Sequence, residues 1–384
     1  MRVVIAIDSF KGSTDTFETA GAVANGIKRV YKDADIVCLP LADGGEGTVQ
    51  AIVSAKNGQI CVASATDPLG NKIDASYGMA DKTAIIEMSS ASGLPLVPKE
   101  KRNPLFTTTY GTGELIKDAI EKGCRNFIIG IGGSATNDGG IGMLQALGFE
   151  LLDENGEEVP FGALGVSKIK KINTSNKLPE LDKCHFEVAC DVKNILCGDN
   201  GCSAVYGPQK GATFEMVKDM DAWLEAFATL SAQTLGKDYS KTEGTGAAGG
   251  LGFALVSYLG AALRSGIDIV TEAIGLDECV KNADVVITGE GRMDSQTAMG
   301  KAPIGVAKIA KKHGKIVVAI AGSITNDAKE CNDHGIDAIF PIVKSPCTLE
   351  YAMDKENAKN NLADTAEQIF RLVASMLSAK KEKK

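Results

Sequence analysis

Several short runs in this chain hold the residue types that phosphate chemistry requires. Asp8-Ser9-Phe10-Lys11-Gly12-Ser13 offers a carboxylate, a hydroxyl and an ammonium, and Asp43-Gly44-Gly45-Glu46-Gly47-Thr48 adds two more carboxylates among freed backbone amides. Gly289-Glu290-Gly291-Arg292-Met293-Asp294-Ser295-Gln296-Thr297 supplies Arg292, whose planar fork can clamp a carboxylate through two hydrogen bonds. In the same run Asp294 could accept a proton from an alcohol or hold a divalent cation, and it could equally cap a helix. Transfer of a phosphoryl group needs such a set: cations to neutralise it, carboxylates for Mg²⁺, and a group that orients the attacking hydroxyl.

The best candidate for a phosphate cradle is Gly132-Gly133-Ser134-Ala135-Thr136-Asn137-Asp138-Gly139-Gly140, between the apolar strand Phe127–Ile131 and a helix expected from Ile141. Its amides can approach an anion without side-chain obstruction, and a helix start adds partial positive charge. Lys210, in Gly207-Pro208-Gln209-Lys210-Gly211-Ala212, is either a point charge for a phosphate or carboxylate, or a surface lysine. Asp191 follows the strand-like Phe186–Cys190 and is either a site acid or a solvated loop carboxylate. The chain has no Walker A sequence and neither the H-R-D nor the D-F-G triplet of protein kinases. Its three histidines, His185, His313 and His334, sit outside every motif, which argues against histidine-based catalysis. Gly130-Ile131-Gly132-Gly133-Ser134-Ala135 fits a loose dinucleotide-binding pattern, with Glu150 as the ribose-binding acid, but four more turn-prone residues stand where a helix should open.

The elements that must position these residues can be read from hydrophobic spacing. Val3–Ile7 and a second strand ending at Pro40 flank a helix with a capping box at Asp15 and Glu18 and apolar residues at Phe17, Ala20, Ala24, Ile27 and Tyr31. Strand ends that carry polar residues are where open α/β sheets bind ligands. Three further short apolar strands, Ala283–Thr288, Ile316–Ala321 and Ile336–Phe340, bring the count to five, that of a flavodoxin-like layer. Gly305–Lys312 and a closing helix over about 358–377 supply its cover. The middle breaks this alternation: Cys61–Met79 and Thr83–Met88 read as short strands around the turn Asp67-Pro68-Leu69-Gly70, and helices follow at Gly113–Lys122 and Gly140–Leu147. The fold class is therefore α/β. A flavodoxin/Rossmann-like parallel-sheet domain, 1–58 and 283–384, carries an inserted mixed α+β domain, 59–282, with the active site expected in the cleft between them.

These motifs resemble those of the bacterial type I glycerate kinases. The resemblance rests on the runs at 8–13, 40–48, 132–140, 207–212 and 289–297, together with Gly246-Ala247-Ala248-Gly249-Gly250-Leu251-Gly252, and it spans nearly the whole chain. Ile7 departs from the proline often found before the first aspartate in this family. The resemblance implies ATP-dependent phosphorylation of D-glycerate to 2-phosphoglycerate in organic-acid catabolism, with Mg²⁺; transfer to the 3-hydroxyl is the alternative. It implies that Asp8, Ser9, Lys11, Asp43, Arg292 and Lys210 bind substrate, the carboxylate lying near Arg292 and Lys11. Gly132, Gly133, Ser134, Asn137, Asp138, Gly139 and Lys210 would hold phosphate or nucleotide. Asp294 or Asp191 would orient the hydroxyl, with Lys11 and Arg292 also catalytic, and Asp8, Asp43 or Asp191 would serve the metal. Two other classes compete: a nicotinamide-dependent hydroxy-acid dehydrogenase, supported only by the Gly130 pattern, and a non-catalytic glycerate sensor, which fits poorly with a full set of motif acids.

Composition narrows the remaining possibilities. The chain has 384 residues, is 44% hydrophobic and only 5% aromatic, and contains 43 glycines, a balance that suits an α/β enzyme with many tight turns. Its 41 basic and 49 acidic residues leave a net charge of −8, so nucleic acid and anionic membranes are not expected partners. Only Lys380–Lys384 is locally basic, and reads as a solvated end. Ten cysteines without a C-x-x-C pair suggest reduced thiols in a cytoplasmic protein, and the cluster Cys184, Cys190, Cys197 and Cys202 reads as buried small residues rather than a zinc site. No signal peptide is visible, and the uncharged stretch Gly246–Leu263 is diluted by five glycines, reading as a loop that feeds a buried helix. A monomer or homodimer is expected.

Overall fold

The computed structural model describes residues 1–381, so the last three residues of the basic tail, Glu382–Lys384, lie outside the described residues. Strands β1 (Arg2–Ile7) and β2 (Asp35–Pro40) come first. β3 (Gln59–Thr66), β4 (Lys72–Ala80), β5 (Thr83–Glu87) and β6 (Asn126–Gly130) follow, then the short pair β7 (Glu150–Leu152) and β8 (Lys171–Asn173). β9 (His185–Ala189) and β10 (Ala262–Arg264) precede the last three, β11 (Val285–Met293), β12 (Ile316–Ile324) and β13 (Ala338–Pro341). The chain separates into two compact units. One holds Met1–Asp43, Gln50–Lys56 and the chain from Val270 onward, and the other holds Gly44–Val49 and Asn57–Ile269. Residues 270–282 thus go with the first unit rather than with the insertion. The physical reason is packing, since the helix Leu276–Lys281 lies against Ala302–Lys312.

The first unit is a five-stranded sheet in the order β2-β1-β11-β12-β13, every pairing parallel. Counted within the unit this is the flavodoxin-like order 2-1-3-4-5, which reverses direction between β1 and β11. Alternation explains why its strands are apolar throughout. Val3, Ile5 and Ile7 pack with Val285, Ile287, Val318 and Ile320 against Val23 and Ile27 of the helix Thr16–Lys28 and Leu362, Ala366 and Phe370 of Lys355–Lys381. Ala302–Lys312 packs on β1, β11 and β12 and is itself almost wholly buried along its apolar stripe. The first helix has the expected capping box, with Asp15 accepting from Glu18 N at 2.8 Å. Gly26 lets that helix meet the last one, because a Cβ there would lie 2.0 Å from the Ala363 carbonyl oxygen.

The second unit has a six-stranded sheet in the order β10-β9-β6-β5-β4-β3. β4 runs antiparallel to both β3 and β5, and the other pairings are parallel. The Asp67–Gly70 turn closes the β3–β4 hairpin, the Asp67 carboxylate accepting from the amides of Leu69 and Asn71, each at 2.8 Å. The sequence segments 113–122 and 140–147 are the helices Tyr110–Glu121 and Ile141–Ala146. Gly246–Leu263 contains a buried turn and the buried helix Leu251–Leu259, and among the described residues no helix is long and apolar enough to cross a membrane.

Candidate active site

In the first unit a cavity of about 490 Å³ opens at the carboxyl ends of the strands, beside the place where strand order reverses. β1 delivers Asp8, Ser9 and Lys11, the end of β2 delivers Asp43, and β11 delivers Glu290 and Arg292; Lys301 comes from the start of the helix Ala302–Lys312. Asp8 is held by its own chain, its amide donating to the Gly289 carbonyl at 3.0 Å while its Oδ1 accepts from Ser9 N at 2.6 Å. Lys11 Nζ lies 3.6 Å from Asp43 Oδ2. Glu290 Oε1 accepts from the Thr297 hydroxyl at 2.5 Å.

Three carboxylates and three cations in one cavity perturb one another. Burial first, and then the Asp43 carboxylate, push the Asp8 carboxyl up to about 7. Burial also raises Glu290, against the Thr297 hydrogen bond and the Lys301 ammonium. Burial pulls Lys11 down, but Asp43 and Asp8 outweigh it and hold the ammonium above the usual lysine range. β11 and β12 can close the floor only because of glycine. Gly289 has φ +153°, and a Cβ on it would lie 1.8 Å from the Ile320 carbonyl oxygen.

The second unit has its own smaller pocket, about 230 Å³, whose lining includes Gly132, Gly133, Ser134, Asp191, Tyr206 and Lys210. Asp191 Oδ1 accepts from Gly266 N at 3.0 Å. Lys210 is 1% exposed, its Nζ donating to the Thr136 carbonyl at 2.6 Å. Burial lowers it to about 8, with Cys202 and Asp138 pulling the other way. A surface role for Lys210 is therefore ruled out. A buried ammonium beside two exposed glycines is a place for an anion.

The glycine loop divides into a front and a back. Gly132, Gly133 and Ser134 reach the pocket, whereas Asn137, Asp138 and Gly139 are buried behind it and are not part of its lining. The Asp138 carboxylate accepts from Thr109 N and Oγ1, each at 2.8 Å, and from Gly140 N at 3.1 Å, so it braces the turn into the next helix. Asn137 Nδ2 donates to Ser203 Oγ at 2.8 Å. The run Gly246–Gly252 lies behind the loop, with Gly139 N donating to Gly249 O at 2.9 Å. No helix opens at Ala135; the next begins at Ile141, and both carboxylate oxygens of Glu150 accept from Asn173 and Asn176. The dinucleotide pattern therefore lacks both of its structural marks.

Asp294 takes the capping position that its sequence context also allowed. It is the N-cap of Ser295–Ala298, accepting from Gln296 N at 3.0 Å, with Arg292 Nε 3.6 Å from its Oδ2, and it does not line the cavity. Glu290 does, although the sequence drew attention only to its neighbours. The signal was there: Glu290 and Arg292 are two apart on one strand and so share a face. The far wall of the first cavity, Ile342, Val343, Leu349, Ala352 and Met353, comes from a loop and short helix with no motif to mark them. Among the described residues no group of three or more His, Cys, Asp or Glu side chains is arranged to hold a metal ion, and all ten cysteines are free. The expected metal carboxylates Asp8 and Asp43 share the first cavity, while Asp191 belongs to the second pocket.

Residues 3–374 match the sequence model of the glycerate kinase family. A glycerate kinase of Haemophilus influenzae is 52% identical over 376 residues, 97% of this chain and 99% of its own. A glycerate 2-kinase of Escherichia coli is 49% identical over 376 residues, 97% of this chain and 98% of its own. The crystal structure described as a glycerate kinase 2 from Salmonella typhimurium LT2 superposes with a TM-score of 0.90 at 49% identity, covering 100% of this chain and 99% of that one.

Proposed function

This chain belongs to the glycerate kinase family, and we propose that it transfers the γ-phosphoryl group of ATP to the 2-hydroxyl of D-glycerate. The observation that carries the reading is the convergence of Lys11, Arg292 and Lys301 with Asp8, Asp43 and Glu290 in one cavity, in a chain that matches glycerate kinases over nearly its full length. Cations that neutralise a phosphoryl group and carboxylates that position its acceptor suit a reaction driven by charge neutralisation and positioning.

Lys11 and Arg292 are both largely exposed and free to swing onto an anionic reactant, where each added cation offsets charge on the transferring phosphoryl group. Asp8 is poised near neutrality and, once ionised, accepts a hydrogen bond from an attacking hydroxyl or a metal-bound water. Mg²⁺ demands few protein ligands when phosphates and waters supply the rest, and Asp8 and Asp43 fit such a site as a pair of carboxylates. When bound, the metal would neutralise negative charge on the phosphates. In the second unit the Gly132–Ser134 amides and the Lys210 ammonium suit a small anion, and Asp191 could orient its hydroxyl. We place the reaction in the cytoplasm, where ATP is supplied and the ten free thiols stay reduced.

The direct test is an assay with ATP, Mg²⁺ and D-glycerate coupled through enolase, which accepts 2-phosphoglycerate but requires a mutase for 3-phosphoglycerate. Signal without mutase is the expected outcome. Signal only with mutase would reassign the reaction to the 3-hydroxyl, and none in either case would leave the cavity to another hydroxy acid or to a ligand sensor.

A further inference from the structure

The first unit's cavity is too large and too apolar on one side for glycerate alone. Three carbons bearing a carboxylate and two hydroxyls offer almost no apolar surface, and ligand pockets usually bury most of what they bind. The charged residues occupy the side nearest β1, β2 and β11. The rest of the lining is largely apolar: Ile342 and Val343, which follow β13, and Leu349, Ala352 and Met353 of the helix Leu349–Met353. That short helix is fixed in place. Thr348 caps it, accepting from Tyr351 N at 3.2 Å, and Lys355 just beyond it pairs with Glu18 at 2.6 Å. Met353 reaches the loop after β1, its Cε 2.9 Å from where a Cβ on Gly12 would stand, so the slot is bounded on that side.

A cavity lined by both an apolar wall and a row of cations suits a ligand with a flat apolar ring at one end and several negative charges at the other. Of the reactants in the proposed reaction only the nucleotide has that form. We propose that the first unit grips ATP, with its purine ring against Ile342, Val343, Leu349 and Met353 and its phosphates directed to Lys11, Arg292 and Lys301. The inference rests on the kinase reading and deepens it by assigning the nucleotide to one unit. It also moves Lys11 and Arg292 from the glycerate carboxylate, where the resemblance put them, to the phosphate chain. Position supports it too, since this cavity lies at the point of a 2-1-3-4-5 sheet where nucleotides are bound.

Leu349 is 78% exposed, so replacing it should cost little stability, and Val343 is partly exposed. The test compares full-length wild type, Leu349→Asp and Val343→Trp for ADP and tripolyphosphate affinity by calorimetry, and for KM of ATP and of D-glycerate. Circular dichroism melting checks that each variant is folded. Both variants are expected to weaken ADP binding and raise KM for ATP by on the order of tenfold, while tripolyphosphate affinity and KM for glycerate stay within about twofold. Unchanged ADP affinity in both folded variants, or a rise confined to KM for glycerate, overturns the assignment. The two readings fail separately. ADP affinity that depends on Leu349 in a protein without glycerate kinase activity keeps the slot and discards the reaction, and wild-type activity with ADP binding indifferent to both changes does the reverse.

Discussion

Asp8 shows how a single residue lining the candidate site can be costly to the fold. Its folded-state carboxyl titrates near 7, well above the ordinary aspartate value of about 4, because burial and Asp43 disfavour its charge. A raised acid of this kind leaves stability intact below about pH 4 and lowers it as pH climbs through 7, since the folded state holds a proton that the unfolded state has released. Asp8→Asn is therefore expected to melt higher than wild type at pH 8, by about 1–3 kcal/mol, with the gain fading towards pH 4. Its turnover should drop by at least about 100-fold, and the rise in wild-type rate through neutral pH should vanish. A lower melting temperature for the variant at pH 8, or an unaltered pH profile, would sink the account. Most of the charged residues in the cavity were legible from sequence, because acids and cations after apolar strands have few structural alternatives. Asp294 could be read from sequence as an N-cap or as a site acid, because the two look alike in one dimension, and the structure shows the N-cap. Asn137 and Asp138 stand in a glycine run that suggests a cradle, yet their side chains turn inward, Asn137 Nδ2 donating to the Ser203 hydroxyl and Asp138 accepting from the amides of Thr109 and Gly140.

At the level of elements, the strands and helices that apolar spacing picked out lie within a few residues of their expected places, but the 22-residue helix Phe214–Leu235 was not among them. Nor were the walls of the sites. The helix Leu349–Met353 has five residues and exposes its large side chains, so no hydrophobic period marks it. Glycine decides where elements can touch. Gly140 opens the helix Ile141–Ala146 at φ +79°, and a Cβ on it would lie 2.5 Å from the Ala254 Cβ of the buried helix behind. Gly140→Ala should thus combine backbone strain with overpacking and cost about 2–4 kcal/mol in denaturant unfolding. A loss below about 0.5 kcal/mol would mean that these helices shift apart freely and that the loop is not rigidly backed.

For the whole molecule, the metal prediction is the discriminating one. No described cluster of three or more ligands awaits a cation, so Mg²⁺ should arrive with the nucleotide. Adding EDTA is expected to abolish turnover and to shrink the thermal stabilisation given by ATP, while leaving the melting temperature of the nucleotide-free protein unchanged. A fall in that melting temperature would reveal a resident structural metal. The parallel first unit and the partly antiparallel second one were both legible, because strict strand-helix alternation gives way to a hairpin at Asp67–Gly70. The return point near 270 was less so, since helices at a boundary declare their allegiance only through packing.

The central sheet also sets an order of events during synthesis. β1 lies between β2 and β11, and its pairing of Val3 with Val285 joins the two ends of the chain. While the ribosome is still making the middle, β1 and β2 have one another but lack the three strands and the closing helix that cover them. The second unit, complete by Ile269, can fold first while two nearly continuous apolar strands wait for partners. Nascent chains that stall or terminate before β11 would then carry a finished domain tethered to a sticky, unfinished one, and would be natural clients for chaperones and proteases.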